Sequence, residues 1–161
     1  MFWKQRTYLD YASGATGNPS SPHEEGRRVN AILEKARVAV ARLTEVKADD
    51  VIFTSGATEA NNIAIRGLRR PGAHFLYLPS AHASVVETMR ELGGEPLVIT
   101  NGRVDIEVLK SQIKPDTVLI SMDAVCGETG TIWNTREVSA LLHGVRGGSA
   151  VLHVDASQAA L

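Results

Sequence analysis

Short apolar, strand-like runs alternate with amphipathic segments along most of the sequence, and the links between them are short. The strand-like runs lie at 51–54, 74–78, 96–100, 117–121 and 150–154. Apolar residues at helical spacing predict helices over 22–43, 57–69, 80–92, 105–113 and 135–143. This alternation predicts an α/β fold in which a largely parallel sheet is flanked by helices.

Several element boundaries carry start and stop signals in the sequence. Ser21-Pro22-His23-Glu24 has the pattern of a capping box with proline in the first turn, which predicts Ser21 as the N-cap of the first helix. Gly93-Gly94 is expected to end a helix that Ser80 caps. Asn101-Gly102 is typical of a tight turn, so the chain is expected to reverse there.

The composition is that of a globular domain, and it excludes several classes of protein. With 161 residues, 43% of them apolar, the chain is long enough for one domain with a core. We expect an N-terminal arm and loop over 1–21 and a single α/β domain over 22–161. A net charge of −1 argues against nucleic acid or a membrane surface as partner. No apolar run reaches the roughly 18 residues that span a bilayer. The lone cysteine, Cys126, excludes an intrachain disulfide and favours the reducing cytoplasm.

The carboxyl ends of the predicted strands are the expected place for a site, because ligands of parallel α/β sheets bind there. Four loops leave these ends, at 55–58, 79–82, 122–130 and 155–158. They contain most of the small polar groups of the chain. We therefore expect a functional site where these loops meet.

The first of these loops, Ser55-Gly56-Ala57-Thr58, opens a predicted helix with a glycine and small hydroxylated residues. Free N–H groups at a helix start can hold an anion. The segment lacks the lysine of a nucleotide-binding P-loop and the glycine spacing of a dinucleotide fingerprint, which leaves a single phosphate as the ligand. The alternative is an ordinary N-cap by Ser55 or Thr58.

Three side chains in the other loops are candidates for ligand contacts. Asp155 follows an apolar strand, where a carboxylate can pair with a cationic ring nitrogen or simply cap the next helix. Gln158 could donate a hydrogen bond to a neighbouring oxygen. His82 could lie over a flat ligand or face solvent. Cys126 is more typical of an inert buried thiol, since nothing basic stands beside it in the sequence.

Six segments, taken in order, resemble the cysteine desulfurases of the class V aminotransferase group, which are pyridoxal-phosphate enzymes of fold type I. The segments are YLDYASGAT (8–16), GNPSS (17–21), FTSGATEANNIAIRG (53–67), SAHASVVET (80–88), ETG (128–130) and HVDASQ (153–158). The TSGATE and HVDA.Q blocks are specific to this group. The resemblance spans nearly the whole chain and covers the N-terminal portion of a longer family enzyme.

The resemblance implies a role for each candidate residue. Ala57 and Thr58 would bind the cofactor phosphate, and His82 would stack on the pyridine ring as the catalytic histidine. Asp155 would pair with the ring nitrogen and keep it protonated, so that the ring withdraws electrons. Gln158 would bond the phenolic oxygen of the ring. No metal ligands are expected.

Three features depart from the family pattern. The family lysine that binds the cofactor aldehyde, the sulfur-accepting cysteine and the substrate-binding arginine all lie beyond the HVDA.Q block, and none of the five lysines matches that context. Cys126 and Gly127 stand where the family has two asparagines. The helix that the family places between YLDYASGAT and GNPSS is missing.

These features lead to three functional hypotheses. The first is the cofactor-binding portion of a cysteine desulfurase-like enzyme, converting L-cysteine to L-alanine with a second segment or chain, and binding the cofactor without a covalent bond by itself. A selenocysteine lyase or another class V aminotransferase would share these motifs. The second is a non-catalytic domain acting in assembly or regulation with an enzyme partner. The third is a nucleotide-binding α/β domain. The first two imply a homodimer or a complex with a chain carrying the C-terminal half.

Overall fold

The computed structural model describes residues 17–144 and 150–159. Contacts between Cα atoms divide the chain into two compact units, Met1–Phe53 and Thr54–Leu161. The arm and loop predicted for the N-terminus lie mostly outside the described residues. The single domain predicted over 22–161 stays a prediction, and each unit is described by itself.

The first unit is built on one long helix, α1, which spans Glu24–Leu43. Its N-cap is His23, whose Nδ1 accepts from the Gly26 N–H at 3.1 Å, so the prediction of Ser21 as N-cap is wrong. Ser21 instead closes the preceding turn by donating its N–H to Asn18 O. Gly26 is required there, because a Cβ at this position would lie 2.3 Å from the Ser21 carbonyl oxygen.

The strand predicted over 51–54 does not form. A short 3-10 turn at Ala48–Asp50 follows α1, and the chain then runs on without regular structure. The Val51 carbonyl accepts from the Arg37 guanidinium, which also lies 5.2 Å from the centre of the Phe53 ring. Apolar, β-prone residues form a strand only when a neighbour completes their backbone hydrogen bonds, and no described strand pairs with this run.

The second unit contains a four-stranded, fully parallel sheet, as the alternation in the sequence predicted. The helices are α2 (Ala57–Gly67), α3 (Ala83–Glu91), α4 (Ile106–Gln112) and α5 (Thr135–Gly144). The sheet strands, in their spatial order, are β2 (Glu95–Pro96), β1 (His74–Tyr77), β5 (Thr117–Asp123) and β6 (Val151–Asp155). A separate antiparallel hairpin consists of β3 (Ile99–Thr100) and β4 (Arg103–Val104).

Two of the predicted elements differ in detail. The strand expected over 96–100 is split, because the chain leaves the sheet after Pro96 and re-forms as β3 of the hairpin. The predicted Asn101-Gly102 turn joins the hairpin, with φ values of 53° and 72° in the left-handed region that these residue types tolerate. The helix expected from Ser80 begins at Ala83, because His82 caps it instead.

The sheet of the second unit has an apolar core on each face, as the burial of its strands requires. Ile120 and Met122 of the inner strand β5 pack with residues of α4 and α5. Leu119 packs on the other face with residues of α2 and α3. Side chains alternate between faces along a strand, so Ser121 and Asp123 also lie on the α2/α3 side. No helix in the described part of the chain is long and apolar enough to cross a membrane.

Replacing Ile120 with alanine is expected to lower the free energy of unfolding by about 2–5 kcal/mol, because it opens a cavity beside an inner strand. Urea unfolding followed by circular dichroism measures the loss. Ile132→Ala is the matched control, since Ile132 is 78% exposed. It should change the free energy by less than about 0.5 kcal/mol. Equal effects of the two substitutions would contradict the described core.

Candidate functional site

One cleft of the second unit collects the loops at the carboxyl ends of β1, β5 and β6, together with the start of α2. Its volume is about 380 Å³. It is lined by Ala57, Ser80, Ala81, His82, Ala83, Asp123, Val125, Cys126, Gly127, Glu128, Asp155, Ser157 and Gln158. The cleft therefore brings together four of the residues singled out from the sequence: Ala57, His82, Asp155 and Gln158. Thr58 lies one residue further along α2 and does not line it.

Asp155 is held as an anion by hydrogen bonds to both of its carboxylate oxygens. Its Oδ1 accepts from the backbone N–H and the hydroxyl of Ser157, at 2.9 and 2.6 Å. Its Oδ2 accepts from the Asn61 amide at 2.9 Å. Burial pushes the pKa of Asp155 upward, but the hydrogen bonds from Ser157 and Asn61 outweigh burial and leave the pKa below its ordinary value. Such a carboxylate is suited to pair with a cation.

The start of α2 is free of any side-chain cap. Gly56 is the N-cap residue, in an extended conformation, and neither Ser55 nor Thr58 serves as the cap. Ser55 instead donates its N–H and hydroxyl to the Glu59 carboxylate, both at 2.6 Å. With no side chain bonded to them, the N–H groups of the first turn can bind an anion.

His82 is connected to Asp155 through a chain of hydrogen bonds. Its Nδ1 accepts from the Ser84 N–H at 3.2 Å and bonds the Ser84 hydroxyl at 2.9 Å. Ser84 Oγ in turn accepts from the amide of Asn61, at 3.0 Å, and that amide also bonds Asp155. Because Nδ1 accepts from a backbone N–H, neutral His82 carries its proton on Nε2. These hydrogen bonds fix the position of the His82 ring, which lines the cleft.

Asp123 is the second carboxyl group of the cleft. It ends β5 and is only 6% exposed, and its Oδ1 is buried without a hydrogen-bond partner among the described residues. Burial raises the pKa of Asp123 to about 6, and the charge of Asp155 adds to the rise, while His82 acts in the opposite direction. Asp123 therefore exchanges its proton close to neutral pH.

Gln158, Gly127 and Cys126 also line the cleft. A Cβ added at Gly127 would lie 3.3 Å from Gln158 Cγ, so the glycine leaves room for the glutamine side chain. Cys126 is buried, and hydrogen bonds from the hydroxyl and backbone of Thr129 lower the pKa of its thiol. The sequence shows no basic neighbour of this thiol, and the groups that lower its pKa are instead hydrogen-bond donors of the following loop.

Sequence reasoning missed Asn61, Ser84, Ser157 and Asp123. The first three hold Asp155 and His82 in place, and only the folded chain shows which side chains they reach. Asp123 carried a usable signal, because it stands at the carboxyl end of an apolar strand, as Asp155 does. Among the described residues no cluster of three or more His, Cys, Asp or Glu side chains could hold a metal ion.

The fold and the cleft together define a class of α/β protein with an uncapped helix start and an ionised carboxylate in one cleft. The model of the family described as aminotransferase class-V matches residues 5–161. The chain therefore belongs to the class V aminotransferase family. Membership in this family implies pyridoxal phosphate as the cofactor.

The relatives and solved structures that the chain matches are mostly cysteine desulfurases and related proteins. Cysteine desulfurase IscS of Neisseria meningitidis serogroup C is 36% identical over 94% of this chain, which covers 39% of that protein. The structure of a NifS-like protein is similar with a TM-score of 0.81 and 29% identity, over 91% of this chain and 43% of its own. DndA from Streptomyces lividans has a TM-score of 0.73 and 34% identity, over 93% and 44%. The chain thus spans about two fifths of the length of the proteins it matches.

Asp123→Asn is expected to flatten the dependence of stability on pH between 3.8 and about 6. In that window the folded protein retains a proton that the unfolded chain has released, so the stability of the wild type should fall as the pH rises. The fall should reach up to about 3 kcal/mol and persist above the window.

Urea unfolding at a series of pH values between about 4 and 8 measures this slope, which follows from the protons bound by each state. The exposed Asp116 provides the matched control, and Asp116→Asn should keep the slope of the wild type. If Asp123→Asn also keeps that slope, the raised pKa inferred for the buried Asp123 is wrong.

Proposed function

We propose that this chain is the cofactor-binding portion of a cysteine desulfurase-like enzyme that uses pyridoxal phosphate. The observation that carries the proposal is the Asp155 carboxylate, held ionised by Asn61 and Ser157 in the same cleft as the uncapped start of α2. A carboxylate and a free helix start in one cleft fit a ligand with a cationic ring and an anionic phosphate.

The described residues fit the cofactor group by group. The backbone N–H groups of Ala57 and Thr58 would take the phosphate, since no side chain caps that turn. Asp155 would keep the ring nitrogen protonated, because its own pKa is low. His82, fixed through Ser84, would lie over the ring, and Gln158 would donate to the phenolic oxygen. When bound, pyridoxal phosphate supplies an electron-withdrawing ring next to the substrate carbon.

The complete reaction would convert L-cysteine to L-alanine and leave the sulfur on a cysteine of the enzyme, for use in sulfur transfer and iron–sulfur cluster assembly. The lysine that binds the cofactor aldehyde and the sulfur-accepting cysteine would come from a segment or chain other than these 161 residues. Cys126 lies in the cleft itself. We place this function in the cytoplasm, consistent with a single cysteine and no disulfide pair.

A partner that covers apolar surface is part of this proposal, either a second copy or a chain with the C-terminal half. The strand β6 is an edge of the sheet, and its residues Val151 and Val154 are 50% and 37% exposed. In the first unit Ile32 and Leu43 of α1 are both 62% exposed. An open strand edge and exposed apolar side chains favour association.

A second candidate is a non-catalytic domain that acts in assembly or regulation with a pyridoxal-phosphate enzyme. Gly127 favours it, because the family resemblance puts a ligand-contacting asparagine there, whereas Gln158 occupies the space beside this glycine. A related class V aminotransferase or selenocysteine lyase would use the same cleft. A measurement of pyridoxal phosphate binding distinguishes these candidates, because a domain that has lost its cofactor site would not bind it.

Pyridoxal phosphate is expected to bind the wild-type chain without a covalent bond, to shift the cofactor absorption and to raise the melting temperature. Asp155→Asn should weaken binding by about tenfold or more, because it removes a charge-assisted hydrogen bond to the ring. Absorption titration measures both affinities, with Asp116→Asn as the control for loss of a carboxylate. A wild-type chain that gives neither a spectral nor a thermal shift would refute this function.

Light scattering is expected to find the chain as a dimer in solution or in complex with a chain carrying the C-terminal half. Val151→Lys should weaken that association, because it puts a charge on the open edge strand. Val98→Lys is the matched control, since Val98 is 42% exposed and lies outside the regular strands. If the chain is a monomer by itself and also in the presence of a chain carrying the C-terminal half, the proposal of a partner is wrong.

A further inference from the structure

Asp123 and Asp155 stand side by side on neighbouring strands. The parallel register of β5 and β6 pairs Asp123 with Asp155 and, two residues earlier, Ser121 with His153. Both aspartates line the cleft. Because Ile120 and Met122 fill the core on the α4/α5 side, Asp123 lies on the opposite face, where Asn61 of α2 reaches Asp155. The two carboxyl groups thus share one face and one cleft.

The two carboxyl groups differ in the hydrogen bonds that their oxygens accept. Both oxygens of Asp155 accept hydrogen bonds from the protein. Asp123 Oδ1 is buried and accepts none from the described residues. A buried polar atom without a partner is costly, and native proteins keep such atoms mainly where a ligand or a proton completes them. Asp123 therefore lines the cleft with an unused hydrogen-bond acceptor on its buried Oδ1.

The charged and titratable groups around Asp123 come from every element that packs against it. From β6 come Asp155 and His153, and burial lowers the pKa of His153, which bonds Ser121 at 2.8 Å. From the start of α3 comes His82, and from the loop after β5 come Cys126 and the carboxylate Glu128, which also line the cleft. The α2 helix presents the neutral amide of Asn61. Among the described residues that line the cleft there is no lysine or arginine, so no fixed cation neutralises the two aspartates.

We propose that Asp123 and Asp155 together form a two-carboxyl receptor for the protonated ring of the cofactor, and that Asp123 releases its proton when this cationic ring binds. The inference rests on the proposed function and extends it to the charge that the cleft selects. Asp155 supplies a permanent negative charge, and at pH values where free Asp123 still holds a proton, binding of the cation adds the charge of Asp123 as a second one. The proton leaves the Asp123 carboxyl for the solvent, and the ring keeps its own N–H.

Two consequences follow from this arrangement. First, binding should be linked to proton release at pH values where free Asp123 still holds a proton. Second, the cleft should prefer a ring with a protonated nitrogen over a ring of the same shape without one, since only the charged ring gains from a second carboxylate. A merely structural aspartate would produce neither effect.

Isothermal titration calorimetry at about pH 6, in two buffers with different ionisation enthalpies, measures the protons released per bound pyridoxal phosphate. About half of the Asp123 carboxyls hold a proton at that pH. The wild type should therefore release about 0.5 proton more per ligand than Asp123→Asn. Asp116→Asn, which removes an exposed carboxylate, should release as many protons as the wild type.

The second measurement compares pyridoxal phosphate with its carbocyclic analogue, in which CH replaces the ring nitrogen. The preference for the pyridine ring should fall about fivefold or more in Asp123→Asn, and further in Asp155→Asn. Thermal unfolding of each variant without ligand verifies that it is folded. Equal proton release and an equal ring preference in wild type and Asp123→Asn would overturn this inference while leaving cofactor binding intact. A wild type that binds neither ring would overturn the proposed function and this inference together.

Discussion

The parallel pairing of β5 with β6 is the interaction on which the cleft depends. All seven residues of β5 are buried, and its two faces pack against separate cores. This packing holds the register that pairs Asp123 with Asp155. A slip of one residue would turn the polar side chains of β5 toward the α4/α5 core and bring apolar ones to the cleft. The stability of the sheet and the chemistry of the site thus depend on the same register.

The cleft that this register creates is polarised. The open start of α2 presents N–H groups to an anion, while the aspartates at the ends of β5 and β6 present negative charge. The hydrogen-bond chain from His82 through Ser84 and Asn61 to Asp155 fixes one of these carboxylates in the ionised state. Asp123 has fewer donors, since its Oδ1 is buried without a hydrogen-bond partner among the described residues, and this burial is a cost to the folded state. The cleft thus holds groups suited to an anion and groups suited to a cation.

Much of this architecture could be predicted from sequence, because it follows from local patterns. The alternation of apolar runs and amphipathic segments predicted the parallel sheet and its flanking helices. The Asn101-Gly102 turn was also predicted correctly, since its conformation depends on local residue types. The predictions that failed concern features that depend on contacts with other parts of the folded chain. The run at 51–54 has β-prone residues but no neighbouring strand, and Ser21 and Ser80 lost their capping roles to His23 and His82, which the chain path brings into position.

The sequence by itself determined the class of fold, the loops that form the site, and the motifs that mark the chain as a class V aminotransferase. These features are encoded in the order and spacing of residues close together in the chain. Only the tertiary structure decided the protonation behaviour of the site, because a pKa depends on burial and on charges brought near by folding. Asp123 and Asp155 both stand at the carboxyl ends of apolar strands in the sequence. Burial and the charge of Asp155 raise the pKa of Asp123, whereas hydrogen bonds from Ser157 and Asn61 outweigh burial and lower the pKa of Asp155.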